Sequence, residues 1–183
     1  MTTTKWALDP THSELSFKIR HLMISNVSGG FTKFNVSAES IGNDFETAKI
    51  IADIEVSSIN TNNTQRDAHL RNADFFEIEK HPRITFRSTK VEKANGDIFD
   101  LYGDLTIKNI THPVKLTVEY SGLAKDSWGN IKAGFTINGK INRKDWGITY
   151  NAVLETGGFA LGDEVKITAE VQLVKEAIAE AVA

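Results

Sequence analysis

Apolar and polar residues alternate with a period of two along most of the chain, the mark of strands that bury one face. In the first half Leu15, Phe17 and Ile19 interleave with Ser16, Lys18 and Arg20, and Phe34, Val36 and Ala38 with Asn35, Ser37 and Glu39. Ile50, Ala52, Ile54 and Val56 follow, then Ile84 and Phe86. The second half is cleaner. Phe99 to Ile107, Val114 to Tyr120, Ile131 to Ile141 and Val165 to Leu173 each place apolar residues on one face and Asp, Thr, Lys or Glu on the other. The pattern predicts eight strands.

Asn95-Gly96-Asp97 is a strong hairpin signal, and Asn109 to Pro113 and Trp128-Gly129-Asn130 mark further turns. Antiparallel strands that are polar on one face form either a sandwich or a closed barrel. Short hairpins between successive strands favour the barrel. The expected fold class is all-β: an eight-stranded antiparallel barrel, one domain over residues 1–183 with its core between about 5 and 175. Two connections are long. From Ser57 to Pro82, after the third long strand, alternation stops, and Asn62 or Asn63 can N-cap a short helix through Gln65, Arg66, Ala68, Leu70 and Arg71. From Asn142 to Asp163 the chain carries Trp146, Tyr150 and a Gly157-Gly158 pair. Connections of this length tend to be lids or binding loops. The alanine-rich tail from Glu176 to Ala183 reads as a frayed helical turn.

An eight-stranded barrel is just wide enough to be filled by side chains or to hold one small ligand. Strands of about ten residues at ~3.3 Å each, tilted by about 40°, make a tube roughly 25 Å tall, a shape suited to a long chain. Gly103, Gly122 and Gly139 fall on the apolar register. A glycine there either empties space inside or kinks the strand so that the sheet can close. No charge interrupts the inward register, so a ligand would be lipid-like with any polar head at the mouth. The expected apolar contacts are Phe17, Ile19, Phe34, Val36, Ile54, Phe86, Leu105, Val118, Phe135 and Val171. The alternative is a filled core in a structural or interaction module.

The formal net charge of −3 speaks against nucleic-acid binding, which needs a basic stripe. With no cysteine, disulfides, thiolate metal sites and a cysteine nucleophile are excluded. Met1-Thr-Thr-Thr-Lys5-Trp6 lacks the charged and apolar regions of a leader, and no run reaches the ~20 apolar residues of a spanning helix. Cytoplasmic placement is expected, or periplasmic or secreted placement if a leader has been removed.

Catalytic chemistry is thinly represented. His12, His21, His69, His81 and His112 form no HExxH-type pair and have no carboxylate spaced for a metal. They read as turn, mouth and hydrogen-bonding residues, with His12 and His112 as turn chemistry beside Pro10 and Pro113. Asp9, His12 and Ser13 assemble into a triad on paper, but neighbours along a strand point to opposite faces. Catalysis on a lipid would need polar side chains converging inside the tube. On the predicted helix Arg66, His69 and Leu70 share a face, and Asp67 and Arg71 form an i,i+4 pair beside it. That describes either a solvated surface helix or a lid whose basic face meets a polar head.

Several segments then match as a set: Trp6-Ala-Leu-Asp9-Pro-Thr-His12-Ser13, His21-Leu22, Gly30-Phe31, Ser58-Ile59-Asn-Thr61 and Arg66-Asp67-Ala-His69-Leu70. Asp74-Phe75-Phe76, Pro82 to Ser88, Gly103 to Ile107, Asn142-Arg143-Lys-Asp145-Trp146-Gly147 and Leu161-Gly162 complete it. From Trp6 to about Leu173 the chain resembles the YceI-like, polyisoprenoid-binding proteins with a lipocalin-like barrel. The resemblance implies an extended barrel that carries an isoprenoid or other long-chain lipid and implies no catalytic role; no cofactor or metal is expected. Many members are periplasmic or secreted, and the missing leader departs from those. Asn109 and Trp146 stand where Gly and Phe would be expected, Trp146 where it could alter the mouth. By position Arg66, Asp67 and His69 fall in the family's loop. They would contact ligand, or Arg66 or Arg143 would pair with Asp67, Asp74 or Asp145 to pin the long loops. His21, Arg66, His69 and Trp146 complete the expected ligand-binding set. Carriage, storage and sequestration of the lipid all fit, and homodimerisation and transient membrane contact for lipid exchange stay open.

Overall fold

A computed structural model describes residues 2–155 and 157–177. Among them run β1 (Thr3–Leu8), β2 (Glu14–His21), β3 (Ser25–Phe31), β4 (Phe34–Ile41), β5 (Asp44–Glu55) and β6 (Ile59–Asn60). The helix α1 (Thr64–Arg71) follows, then β7 (Arg83–Asn95), β8 (Ile98–Ile107), β9 (Ile110–Lys125), β10 (Ile131–Asn142) and β11 (Leu161–Lys175). Strands β1, β4, β5, β7, β8, β9, β10 and β11 pair in that order, and β1 pairs back on to β11. The sheet closes into the expected eight-stranded antiparallel barrel. Strands β2, β3 and β6 extend it from the first part of β11.

These three lie in line with barrel strands. Leu8 of β1 sits opposite Leu173 and Glu14 of β2 opposite Glu170, so β1 and β2 form one interrupted strand. In the gap Ser13 Oγ accepts the Gln172 N–H at 3.0 Å, replacing a ladder bond. The interruption crosses the next two strands. β3 gives way to β4 at Thr32-Lys33 and β5 to β6 at Val56–Ser58, where Ser58 Oγ accepts the Lys33 N–H at 3.0 Å. Alternation does not reveal β1, β3 or β6. β3 reads Ser-Asn-Val-Ser-Gly-Gly-Phe, too poor in apolar residues for a period, and β6 has two residues.

Above these breaks the ring is open. β6 pairs with β3, while β7 starts only at Arg83, and α1 with the loop 72–82 takes the place of the missing wall. The helix starts as predicted, with Asn63 Oδ1 accepting the Arg66 N–H at 3.0 Å. The expected Asp67–Arg71 pair does not form. Asp67 is buried and accepts from the Thr61 N–H at 2.9 Å and the Thr61 hydroxyl at 2.5 Å, short fixed donors that outcompete a long cation. Arg71 instead reaches the carbonyls of Ser57 and Ile59.

Two other expectations need correction. The β8–β9 turn is Lys108-Asn109 alone, both left-handed, and His112 and Pro113 lie inside the ladder opposite Leu105 and Asp104. The inward glycines do not open the interior. A Cβ at Gly103 would strike the Phe86 ring and one at Gly139 the Leu116 side chain, so neighbouring strands fill both places. Gly122 has φ 103° where β9 and β10 slip register, which is the bulge reading. The tail expected to be helical lies, from 178 onward, outside the described residues.

Candidate ligand cavity

Among the described residues, the barrel interior holds a lower and an upper cavity. The lower, about 190 Å³, lies within the closed ring and is walled by inward residues such as Phe34, Val36, Phe86, Val118, Phe135 and Val171. The upper, about 310 Å³, lies where the ring opens, between β2, α1 and the connection from β10 to β11. Leu15, Ile54, Leu105 and Ile167 border both. They form an aliphatic waist, with Ile54 on β5 and Leu105 on β8 facing Leu15 on β2 and Ile167 on β11.

The far end of the lower chamber is stoppered by aromatic rings. Phe45 packs against Trp6, Tyr120 and Phe135 with centroids 5.0–5.2 Å apart. Trp6 is buried and donates from Nε1 to Ser40 Oγ at 2.8 Å, which satisfies its one polar atom. Burial pushes the Tyr120 phenol pKa up.

Polar side chains border the upper chamber: Ser16, His21, Thr61, Arg66, His69, Arg143 and Tyr150, with no carboxylate among the described residues that line either cavity. Arg66, His69 and Leu70 present one face of α1 to it. Arg66 donates from Nε to the Thr61 hydroxyl at 2.8 Å and from Nη2 to the Thr61 carbonyl at 2.7 Å, so Thr61 links Arg66 to Asp67. His69 Nε2 lies 2.8 Å from Asp74 Oδ2, and its ring packs against Phe75 and Tyr150. The buried Arg143 straps the β10–β11 connection, donating to the carbonyls of Gly162 (2.9 Å), Ile148 and Tyr150 (both 2.8 Å). Its nearest carboxylate, Asp163, is 3.9 Å away, and burial pulls the guanidinium pKa down. Of the loop pins expected, Arg66 reaches Asp67 only through Thr61, Arg143 faces Asp163, and Asp74 goes to His69. Trp146 is buried in the wall rather than standing at the rim, with Nε1 donating to Leu105 O at 3.0 Å.

Every residue singled out for ligand contact borders a cavity. Phe17, Ile19, His21, Arg66, His69 and Trp146 border the upper one, Phe34, Val36, Phe86, Val118, Phe135 and Val171 the lower, and Ile54 and Leu105 both. Thr61, Phe75, Phe76, Ile148 and Tyr150 also line the upper chamber and were not singled out. They sit in the two long connections, where no period marks an inward side, and the Phe75-Phe76 pair was the one available signal. The paper triad is a joint on the strand. His12 Nδ1 lies 2.8 Å from Asp9 Oδ2, but Ser13 Oγ donates to the Asp9 carbonyl at 2.7 Å and not to His12. Lys132 Nζ donates to Asp9 at 2.6 Å and, with His12 and Thr11, holds that carboxyl well below the usual range.

The model of the YceI-like domain matches residues 6–173. A UPF0312 protein of Staphylococcus aureus (strain MSSA476) is 42% identical over 170 residues, covering 92% of this chain and 96% of its own. The crystal structure of the YceI protein of Campylobacter jejuni is 34% identical with a TM-score of 0.73, covering 93% of this chain and 97% of that one. Burkholderia cenocepacia BcnA, at 21% identity and a TM-score of 0.77, covers 90% and 98% and shares the fold. So does a polyisoprenoid binding domain from Saccharophagus degradans, at 13% identity and a TM-score of 0.64, covering 93% and 98%. With that match and a closed barrel that agrees with it, this chain belongs to the YceI-like family.

Proposed function

We propose that the chain binds a long-chain isoprenoid or similar lipid, with the tail through the waist into the lower chamber and the head in the upper one, for carriage, storage or sequestration. The observation that carries this is the pair of cavities that share an aliphatic waist, with polar groups confined to one end. Both far exceed the ~10–15 Å³ that a single water needs, which disfavours a filled core. A tail that buries a few hundred Å² of apolar surface gains on the order of 5–10 kcal/mol, enough for micromolar binding after association costs. The description of the Saccharophagus degradans domain as polyisoprenoid binding points the same way. The function is read as binding rather than catalysis. His69 pairs with Asp74, and the Thr61 hydroxyl, which lines the same chamber, is held by Arg66 and Asp67.

Mass spectrometry of organic extracts from the purified protein, followed by uptake assays with prenols and fluorescent fatty acids, tests the proposal. A co-purifying or readily loaded long-chain lipid is expected. Protein that is always empty and takes up no lipid would sink it.

A further inference from the structure

The β2–β3 hairpin ends in a turn of unusual composition. The Ile24 N–H donates to His21 O at 3.2 Å, and the two residues between, Leu22 and Met23, are left-handed with φ 54° and 61°. Such a turn favours Asn-Gly, because the Cβ of an L-residue is crowded there. The β8–β9 turn has nearly the same φ values, 53° and 61°, and fills them with Lys108 and Asn109. The backbone therefore does not call for Leu-Met. Nor does the core, since Leu22, Met23 and Ile24 are 38%, 63% and 78% exposed. Strain of this kind concentrates at functional positions.

A second tip lies against the first. The Leu22 N–H donates to Ala160 O at 2.7 Å, and in the same connection the Val153–Phe159 bridge leaves Val153 77% and Phe159 53% exposed. The residues next to these tips, His21 and Leu161, border the upper chamber. Two cations flank the apolar side chains. Arg20 donates to Met23 O at 2.6 Å, and Lys144 Nζ sits 6.0 Å from the Phe159 ring while also 3.3 Å from Asp163.

We infer that these two tips dock the barrel on a lipid bilayer and turn the mouth of the upper chamber towards it. Leu22, Met23, Ile24, Val153 and Phe159 enter the interfacial region, and Arg20 and Lys144 meet headgroup phosphates. The inference rests on the lipid-binding reading above, because a stored tail then passes between two apolar phases without crossing water. A second copy of the chain is a poorer occupant. The five side chains expose on the order of 600 Å², short of the ~800 Å² per partner of a standard interface, and they project from convex turns. A bilayer accepts convex apolar tips, with cations alongside for the headgroups. Asp163 offsets part of the Lys144 charge, so binding is expected to be mainly apolar and only weakly salt-dependent.

The test is flotation of the full chain with phosphatidylcholine vesicles, with and without phosphatidylglycerol, at low and high salt. The key variant carries Leu22→Asn and Met23→Gly, which suits the turn and so removes the apolar tip without threatening the fold. Ile24→Ser is the independent single change. Wild type is expected to float and the double variant to partition about tenfold less, while both remain monomers by light scattering. Loading from donor vesicles should slow in the variant. Failure of wild type to float, equal flotation of the variant, or a wild-type dimer that the variant dissolves would each overturn the inference. The two readings fail separately. Lipid in the extracts without flotation rejects docking alone, whereas flotation of a chain that never holds lipid rejects the binding reading.

Discussion

Below the breaks at residues 9–13, 32–33 and 56–58 the barrel wall is a closed hydrogen-bonded ladder; above them it is a patchwork. In the lower ring each strand pairs on both sides, and the interior is apolar down to the Trp6–Phe45–Tyr120–Phe135 stopper. In the upper half α1 and two long connections close the wall through side-chain bonds: Arg66–Thr61–Asp67, Arg143 to three carbonyls, and Trp146 to Leu105. Opening a ladder breaks many bonds together, whereas a patchwork yields at a few contacts. Access to the interior therefore belongs to the upper half, and stability to the lower.

Two phenylalanines, one in each half, separate the two halves most directly. Phe45→Ala removes the centre of the stopper from a buried site and should cost about 3–5 kcal/mol in denaturant unfolding. Phe76→Ala, in the part-buried upper wall, should cost less than about 2 kcal/mol. Equal losses would mean that the two halves are equally cooperative.

The joint between the halves comes next. Asp9 sits between β1 and β2, and its carboxyl is held below the usual range chiefly by Lys132. A carboxyl depressed in the fold contributes in full above its unfolded value of ~3.9, and the contribution is lost as pH falls below that. Asp9→Asn should cost about 1.5–3 kcal/mol at neutral pH and flatten the acid limb of the stability curve. An unchanged acid limb would show that Asp9 does not couple the halves. At the waist, Leu105→Trp should cost about 1–3 kcal/mol by overpacking, and it should shorten the longest alkyl or prenyl chain that the protein retains. An unaltered chain-length limit would show that tails do not pass from one chamber to the other.

The lower half was legible in the sequence because its residues follow one rule. Phe34, Val36, Phe86, Val118, Phe135 and Val171 alternate along regular ladders, and all face the same chamber. The upper half follows that period only along its strands, as at Phe17 and Ile19 on β2, and loses it in the two long connections. Phe76 and Tyr150 lie in connections whose path is set by bonds to distant residues, such as the Arg143 bond to Tyr150 O. Asp67 shows the same limit: i,i+4 spacing suggests Arg71, and only the fold brings Thr61 to it. The glycines depended on register. Gly103 could be read as a vacancy until β7 placed Phe86 over it. The composition of the regular wall follows from local pattern, but the strand that closes the ring, β1, and what fills a gap do not.

The smallest effect is the sharpest on the difference between the halves. Asn63 Oδ1 caps α1 through the Arg66 N–H, and Asn63→Ala should cost about 1 kcal/mol. The cap serves only the lid, so the loss should be local. Hydrogen exchange of the α1 amides should quicken about fivefold, while the β8–β10 amides keep their protection because they open only with the whole ring. A fluorescent fatty acid should also dissociate faster in the variant, by a similar factor, if the lid governs release. Acceleration spread evenly over helix and ring would mean that lid and ladder open as one unit, and that the mouth is no more yielding than the floor.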